Sequence, residues 1–199
     1  LRTPLNSSLI LAKLLADNSK GNLNEEQIKF AQSIYSAGND LLNLINDILD
    51  ISKVEAGKLE LSPENITVGK LVDSLKNTFE PLAGQKKLNF EVQVDAATPA
   101  SIYTDRQRVE QILKNLLSNA IKFTQAGSVS LTVEMLTRGA GAETLRFVVR
   151  DTGIGIEPDQ LARLFRAFVR GSPGTSSRYG GTGLGLVMSQ RLAQLMGGT

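Results

Sequence analysis

Three groups of residues in this 199-residue sequence are of types and spacings that could do chemistry. The first is Gly180-Gly-Thr-Gly-Leu-Gly-Leu186, which runs into the apolar stretch Val187 to Met196. So much glycine at the start of a helical pattern costs backbone entropy, which is repaid where the backbone must approach something closely. Unpaired N–H groups and the positive pole of a helix dipole make a phosphate the natural occupant. An ordinary connector is the competing reading, and the dinucleotide fingerprint does not fit, because no strand precedes the glycines and the third glycine is unmatched. The second group is Asn115, Asn119 and Lys122, at spacings of four and three and so on one face of a helix spanning Asp105 to Thr124. A carboxamide oxygen can ligate a hard, hydrated cation such as Mg²⁺, and a lysine can meet a phosphate; a merely solvated helix face is the alternative. The third is Asp151, where the apolar strand ending in Phe147-Val-Val-Arg turns through Gly153 and Gly155. A carboxylate at a strand end can accept a hydrogen bond from an exocyclic amine such as that of adenine. Asp-Thr-Gly is also a good turn, and it occurs in aspartic proteases. Protease chemistry needs two carboxylates sharing a proton, so with a single copy a dimeric site would be obligatory.

Composition narrows the field. There is no cysteine, which excludes disulfides and thiolate metal sites, and no histidine, which removes the usual zinc ligand and general base. The net charge of +2 gives no argument for nucleic acid, since the basic residues are scattered. The longest apolar run, Leu41 to Ile51, is interrupted by Asn and Asp, so no membrane span or signal peptide is expected and the piece reads as soluble and cytoplasmic, any membrane anchor of the parent protein lying outside it. A hydrophobic content of 41% supports a real core in one or two domains.

The elements that must position these groups follow from periodicity. Leu1 to Ala16 is apolar at helical spacing, and Asp17 to Asn24 is a polar turn. Asn24 with Glu25 and Glu26 starts a long helix to about Ala56. That helix carries two adjacent seams, Ile28, Ala31, Tyr35, Gly38, Leu42, Ile45, Leu49 and Phe30, Ile34, Ala37, Leu41, Leu44, Ile48, Ile51. Two seams exceed what one short partner helix covers, which predicts that two chains pair into a four-helix bundle, with a long core helix of a monomer as the alternative. Gly57 ends the helix, residues 57–66 read as a linker, and Thr67 to Leu82 as a helix capped by Thr67. Lys87 to Val94, Ser101 to Thr104, Ser128 to Leu136 and Glu143 to Arg150 read as strands, the last two joined by a glycine-bearing turn. The expected class is α+β: a helical hairpin over 1–56, then an α/β sandwich over 67–199 with helices on one face of a mixed sheet. Gln160 to Phe168 reads as a short helix, and Arg170 to Gly181 as a mobile flap from which Arg170 and Arg178 could reach a polyphosphate.

Asn115 to Lys122, Asp151-Thr-Gly-Ile-Gly155, Phe165-Arg-Ala-Phe168 and Gly181-Thr-Gly-Leu-Gly185 occur in the order and spacing of the N, G1, F and G2 boxes of sensor histidine kinases. Leu1-Arg-Thr-Pro-Leu-Asn6 resembles the segment that follows the phosphoacceptor histidine in that family. The resemblance covers essentially the whole chain. It implies a dimerisation and phosphotransfer hairpin followed by a Bergerat-type ATP-binding domain, with ATP and Mg²⁺ as cofactors and a homodimer and a response-regulator receiver domain as partners. It puts adenine on Asp151 and Mg²⁺ on Asn119. Phosphate and nearby contacts fall on Asn115, Lys122 and the turn Gly181, Thr182, Gly183, Leu184 and Gly185, an ATP lid falls on Arg170 to Gly180, and Gly153, Gly155, Phe168 and Arg170 count among the nucleotide-binding residues. Thr3 matches a position that in many members orients water for dephosphorylating the regulator. In related ATPases of gyrase, mismatch-repair and heat-shock type a glutamate stands where this chain has Asn115; an amide cannot take a proton from water, which favours transfer over hydrolysis. The resemblance also implies departures: the acceptor histidine would fall two residues before Leu1 with an acidic residue between, further strands would follow Thr199, and Arg166 stands where an acidic residue is more usual. A non-catalytic nucleotide-binding dimerisation module that regulates another kinase is the alternative reading.

Overall fold

The computed structural model describes residues 2–138, 142–161, 164–165 and 183–199. It divides into two compact units, Leu1–Leu59 and Glu60–Thr199.

In the first unit α1 (Arg2–Asp17) and α2 (Glu25–Glu55) form a hairpin. Asn24 starts α2 with a reciprocal capping box: its Oδ1 accepts from Gln27 N at 2.9 Å, and Gln27 Oε1 accepts from Asn24 N at 3.0 Å. The turn before it closes on Asn18, whose amide pairs with both backbone groups of Leu23. At the other end Gly57, at φ +63°, makes a Schellman stop, with Gly57 N donating to Val54 O and Lys58 N to Lys53 O. Leu9, Ala12 and Ala31 are buried between the helices. Gly38 belongs to the same contact, since a Cβ there would stand 2.6 Å from Leu9 Cδ2. The second seam stays open: Phe30, Ile34, Leu41 and Ile48 are exposed on α2, as are Ile10, Leu11 and Leu14 on α1.

The second unit runs β1 (Glu64–Thr67), α3 (Val68–Gln85), β2 (Asn89–Val94), β3 (Ser101–Thr104), α4 (Arg106–Phe123), β4 (Ser128–Arg138), β5 (Ala142–Asp151), α5 (Pro158–Leu161) and α6 (Gly185–Leu195). The mixed sheet has the order β2-β4-β5, β2 lying parallel to β4 from Asn89 opposite Ser128 to Val94 opposite Val133, and β5 antiparallel to β4 from Val129 opposite Asp151. β1 and β3 pair separately, Glu64 opposite Thr104 and Thr67 opposite Ser101. Leu71, Leu75, Phe79 and Ala83 of α3 and Leu113, Leu117, Ala120 and Ile121 of α4 share a core with Val129 and Leu131 of β4.

Some boundaries differ from the sequence reading. The stretch expected as linker contains the start of β1, four residues of which only Ile66 is buried, too few to show a two-residue period. Thr67 makes no side-chain cap, because it ends a strand; Val68 N donates instead to Ala100 O at 3.0 Å. The helix α3 continues past Leu82 to Gln85; Pro81, inside the helix as read from the sequence, lies on the exposed side while Phe79 and Ala83 keep the same face buried. α6 starts at Gly185, two residues before the apolar run.

Because Leu117 is fully buried at the centre of this core, Leu117→Ala is expected to cost about 2–5 kcal/mol of unfolding free energy. Ser118→Ala, on the exposed side of the same helix, is expected within about 0.5 kcal/mol of the parent. Urea unfolding followed by circular dichroism measures both.

Candidate functional site

α4 is fixed at both ends. Asp105, 6% exposed, caps its start by accepting from Arg108 N at 3.1 Å, and its second oxygen accepts from Ser62 N at 3.0 Å. At the far end the carbonyls of the last turn, Ala120 to Phe123, all have partners. Ala120 O accepts from Thr124 N and from the buried Thr124 hydroxyl, at 3.1 and 2.7 Å. Ile121 O and Lys122 O accept from Lys86 Nζ at 2.8 and 3.2 Å, and Phe123 O accepts from Ile154 N at 3.3 Å. On the outer side Arg106 and Lys114 both bond Glu110, at 2.8 and 2.7 Å. Hydrogen bonds from Lys114 and then Arg106 hold the Glu110 carboxyl below its ordinary value of 4.5.

The bond to Phe123 O comes from the turn that follows Asp151, so the end of β5 is hung on the end of α4. Gly153 N donates to Asp151 Oδ1 at 2.8 Å, and a Cβ on Gly153 would lie 2.6 Å from Phe123 O, so only glycine lets the turn pass this close. Thr152 ties the same turn to β4: its Oγ1 accepts from Ser128 N at 2.9 Å and its N donates to Ser128 O at 3.1 Å. The Asp151 side of the turn is exposed.

The asparagine face of α4 meets α6. Asn115 Nδ2 donates to Ser189 Oγ at 2.9 Å, and Asn119 Nδ2 reaches Asn115 Oδ1 at 3.4 Å. Gly185, the first residue of α6, has no room for a side chain: a Cβ would stand 2.9 Å from Asn115 Cγ and nearer still to Oδ1. Gly183 turns the chain into this position at φ +70°, and Leu184 is fully buried beside it. Lys122 Nζ lies 5.3 Å from the centre of the Phe123 ring.

Of the residues singled out from the sequence, Asn115, Asn119 and Gly185 are in direct contact or hydrogen-bonded, and Asp151 and Gly153 are joined to the C-terminal turn of α4 that carries Lys122. Gly155, at φ +69°, shapes the same turn. Phe168, Arg170, Arg178, Gly181 and Thr182, and with them the expected flap and most of the helix expected over Gln160 to Phe168, lie outside the described residues. Thr3 is exposed in the first turn of α1 and belongs to the other unit. Sequence reasoning missed Ser189, Thr152 and Lys86. Ser189 had no signal, since Gln190 and Arg191 beside it make a polar residue at that point unremarkable. Lys86 had none, because its partners are backbone atoms 35 and 36 positions away. Among the described residues no three His, Cys, Asp or Glu side chains gather into a metal cluster, and no helix is long and apolar enough to cross a membrane.

A helical hairpin followed by an α+β unit with this asparagine helix and glycine-led α6 defines a class, an ATPase-type domain joined to a helical hairpin. Residues 1–57 match the family described as "His Kinase A (phospho-acceptor) domain", and residues 104–199 match "Histidine kinase-, DNA gyrase B-, and HSP90-like ATPase". Along its whole length the chain is 39% identical to hybrid signal transduction histidine kinase B of Dictyostelium discoideum and 39% identical to sensor histidine kinase GacS of Pseudomonas protegens, covering 10% and 21% of those proteins. The structure of full-length ShkA in complex with AMPPNP matches 98% of the chain at 37% identity with a TM-score of 0.76, over 39% of ShkA. Acinetobacter baumannii histidine kinase AdeS matches 98% of the chain at 25% identity with a TM-score of 0.64. The chain belongs to the sensor histidine kinases and is a catalytic core of that family. It spans about a tenth to a quarter of the length of the curated relatives it matches.

Gly185→Ala is expected to destabilise the second unit by about 1–3 kcal/mol through overpacking on Asn115. In a double-mutant cycle with Asn115→Ala, most of that loss is expected to vanish, read from urea midpoints. Glu110 is an acid-sensitive group: a carboxyl held low in the folded state stabilises fully above its unfolded value and loses that contribution as pH falls. Glu110→Gln is therefore expected to be less stable than the parent at pH 7, and the gap is expected to narrow as pH drops through 4.5 and below, followed by thermal melts across that range.

Proposed function

We propose that the second unit binds Mg-ATP and that the protein transfers its γ-phosphoryl group to a histidine and then to an aspartate of a response-regulator receiver domain. The observation that carries this reading is the pressing of the glycine-led start of α6 against Asn115, on the helix whose far end holds the Asp151 turn. The donor set fits the nucleotide. A carboxylate at an exposed strand end suits an exocyclic amine, an ammonium and the N–H groups at a helix start suit phosphates, and a lone carboxamide oxygen suits a cation whose other ligands are phosphate oxygens and water.

In this reading Asp151 accepts from the adenine amine through the oxygen that Gly153 N does not occupy. Asn119 offers its amide oxygen to Mg²⁺, Lys122 meets phosphate oxygens, and the backbone of Gly183 to Gly185 serves the phosphate chain, to which the family resemblance also assigns Gly181 and Thr182. The family resemblance assigns Phe168 and Arg170 to the same nucleotide. Bound Mg²⁺ would supply charge neutralisation between the phosphoryl oxygens. Asn115 holds no proton-accepting group, so water in the site stays unactivated and the phosphoryl group awaits a protein acceptor. Catalysis then rests on positioning and electrostatics. Thr3, beside the acceptor position, serves the reverse dephosphorylation. The open second seam of α2 supports a homodimeric four-helix bundle, and a need for ATP favours a cytoplasmic site for the unit.

Calorimetry with adenylyl imidodiphosphate tests the reading. Magnesium-dependent uptake is expected in the parent, and Asp151→Asn is expected to weaken it at least tenfold with an unchanged melting midpoint. No uptake by folded protein overturns the proposal. Acid-labile label from γ-labelled ATP on the full-length protein separates a kinase from a nucleotide-binding regulatory module, which would bind without transfer.

A further inference from the structure

Ser189 is a hydroxyl on an otherwise apolar helix face. It is 8% exposed, its neighbours Val187, Met188 and Leu192 are buried, and α6 needs no hydroxyl there for packing. A buried hydroxyl is costly without a partner, and its partner is the amide of Asn115. A hydroxyl can meet either end of an amide; here the Ser189 Oγ accepts from the nitrogen end, which turns the oxygen end toward Asn119. With Asn115 Nδ2 given to Ser189, Asn115 Oδ1 faces Asn119 and accepts from its Nδ2. Asn119 is then left to present Oδ1, an oxygen, at its other end. Only that end can ligate a hard cation, because an amide nitrogen has no lone pair to offer.

We infer that Ser189 is a positioning residue for metal binding: through Asn115 it sets which end of the Asn119 amide a divalent cation meets. The inference rests on the nucleotide reading above for its metal, and on hydrogen bonds alone for the relay. It gives the α4–α6 contact a second role. Gly185 lets the two helices approach, and Ser189, one turn along the same helix, uses that approach to orient the amides. Without the hydroxyl, Asn115 Nδ2 loses its acceptor in a half-buried site, the amide is free to turn over, and Asn119 follows it.

The test uses the whole chain and three forms: parent, Ser189→Ala and Ser189→Thr. Adenylyl imidodiphosphate is titrated with Mg²⁺ and, separately, with EDTA. The alanine variant is expected to lose about tenfold of the magnesium-dependent gain in affinity while its metal-free affinity stays within about twofold of the parent. The threonine variant, which keeps the hydroxyl, is expected to recover the gain. An unchanged magnesium gain in Ser189→Ala, or equal losses with and without metal, overturns the inference. A second readout needs no nucleotide: the side-chain amide resonances of Asn119 in the ligand-free protein are expected to shift in Ser189→Ala and to return in Ser189→Thr. If they stay fixed, the relay is wrong. If they move while the parent takes up no nucleotide, the relay stands and the nucleotide reading falls.

Discussion

Two helices in the second unit approach so closely that one of them must begin without a side chain. Gly185 lies on Asn115 where a Cβ would overlap the amide, and this contact decides much of what surrounds it. The helix α6 can bury Leu184, Val187, Met188 and Leu192 only because its first turn sits flush against α4. The asparagine face of α4, which an apolar core would leave to solvent, is thereby half-covered by a second helix start. The burial of α6 and its approach to Asn115 both depend on the same absence of a methyl group.

The core holds α4 on one side and a chain of polar contacts holds it at the ends. Leu113, Leu117 and Ile121 lock its rotation against α3 and β4, so the position of Asn115 and Asn119 follows from where the leucines fall. Asp105 fixes its start, and the carbonyls at its end are each bonded. The Asp151 turn is therefore joined to a rigid element at Phe123 O and to β4 through Thr152, instead of depending on loop stiffness. Functional groups on such elements keep their spacing.

The sequence made visible whatever depends on local period and on residue type. Both helices of the hairpin, the α4 face bearing Asn115, Asn119 and Lys122, and the turn at Asp151 could be read because apolar spacing and glycine position are local signals. β1 was hidden because a four-residue strand with one buried side chain has no period to read. The last turn of α3, from Ala83 to Gln85, was hidden because Gly84 reads locally as a stop, while the burial of Ala83 that carries the helix on is a tertiary fact. Lys86 and Ser189 were hidden for the same kind of reason: each acts on a group far away in sequence, and nothing about a surface lysine or a helical serine announces its partner.

The lysine at the end of α4 also changes the local field. A helix of eighteen residues carries a negative pole of about half an elementary charge at its C-terminal turn, and Lys122 and Phe123 are in that turn. An anion drawn to the Lys122 side would meet this pole. Lys86, bonded directly to two of the carbonyls that make it up, sets a full positive charge on the pole and reverses its sign. A residue outside the motifs thus turns the repelling end of a helix into ground hospitable to negative charge.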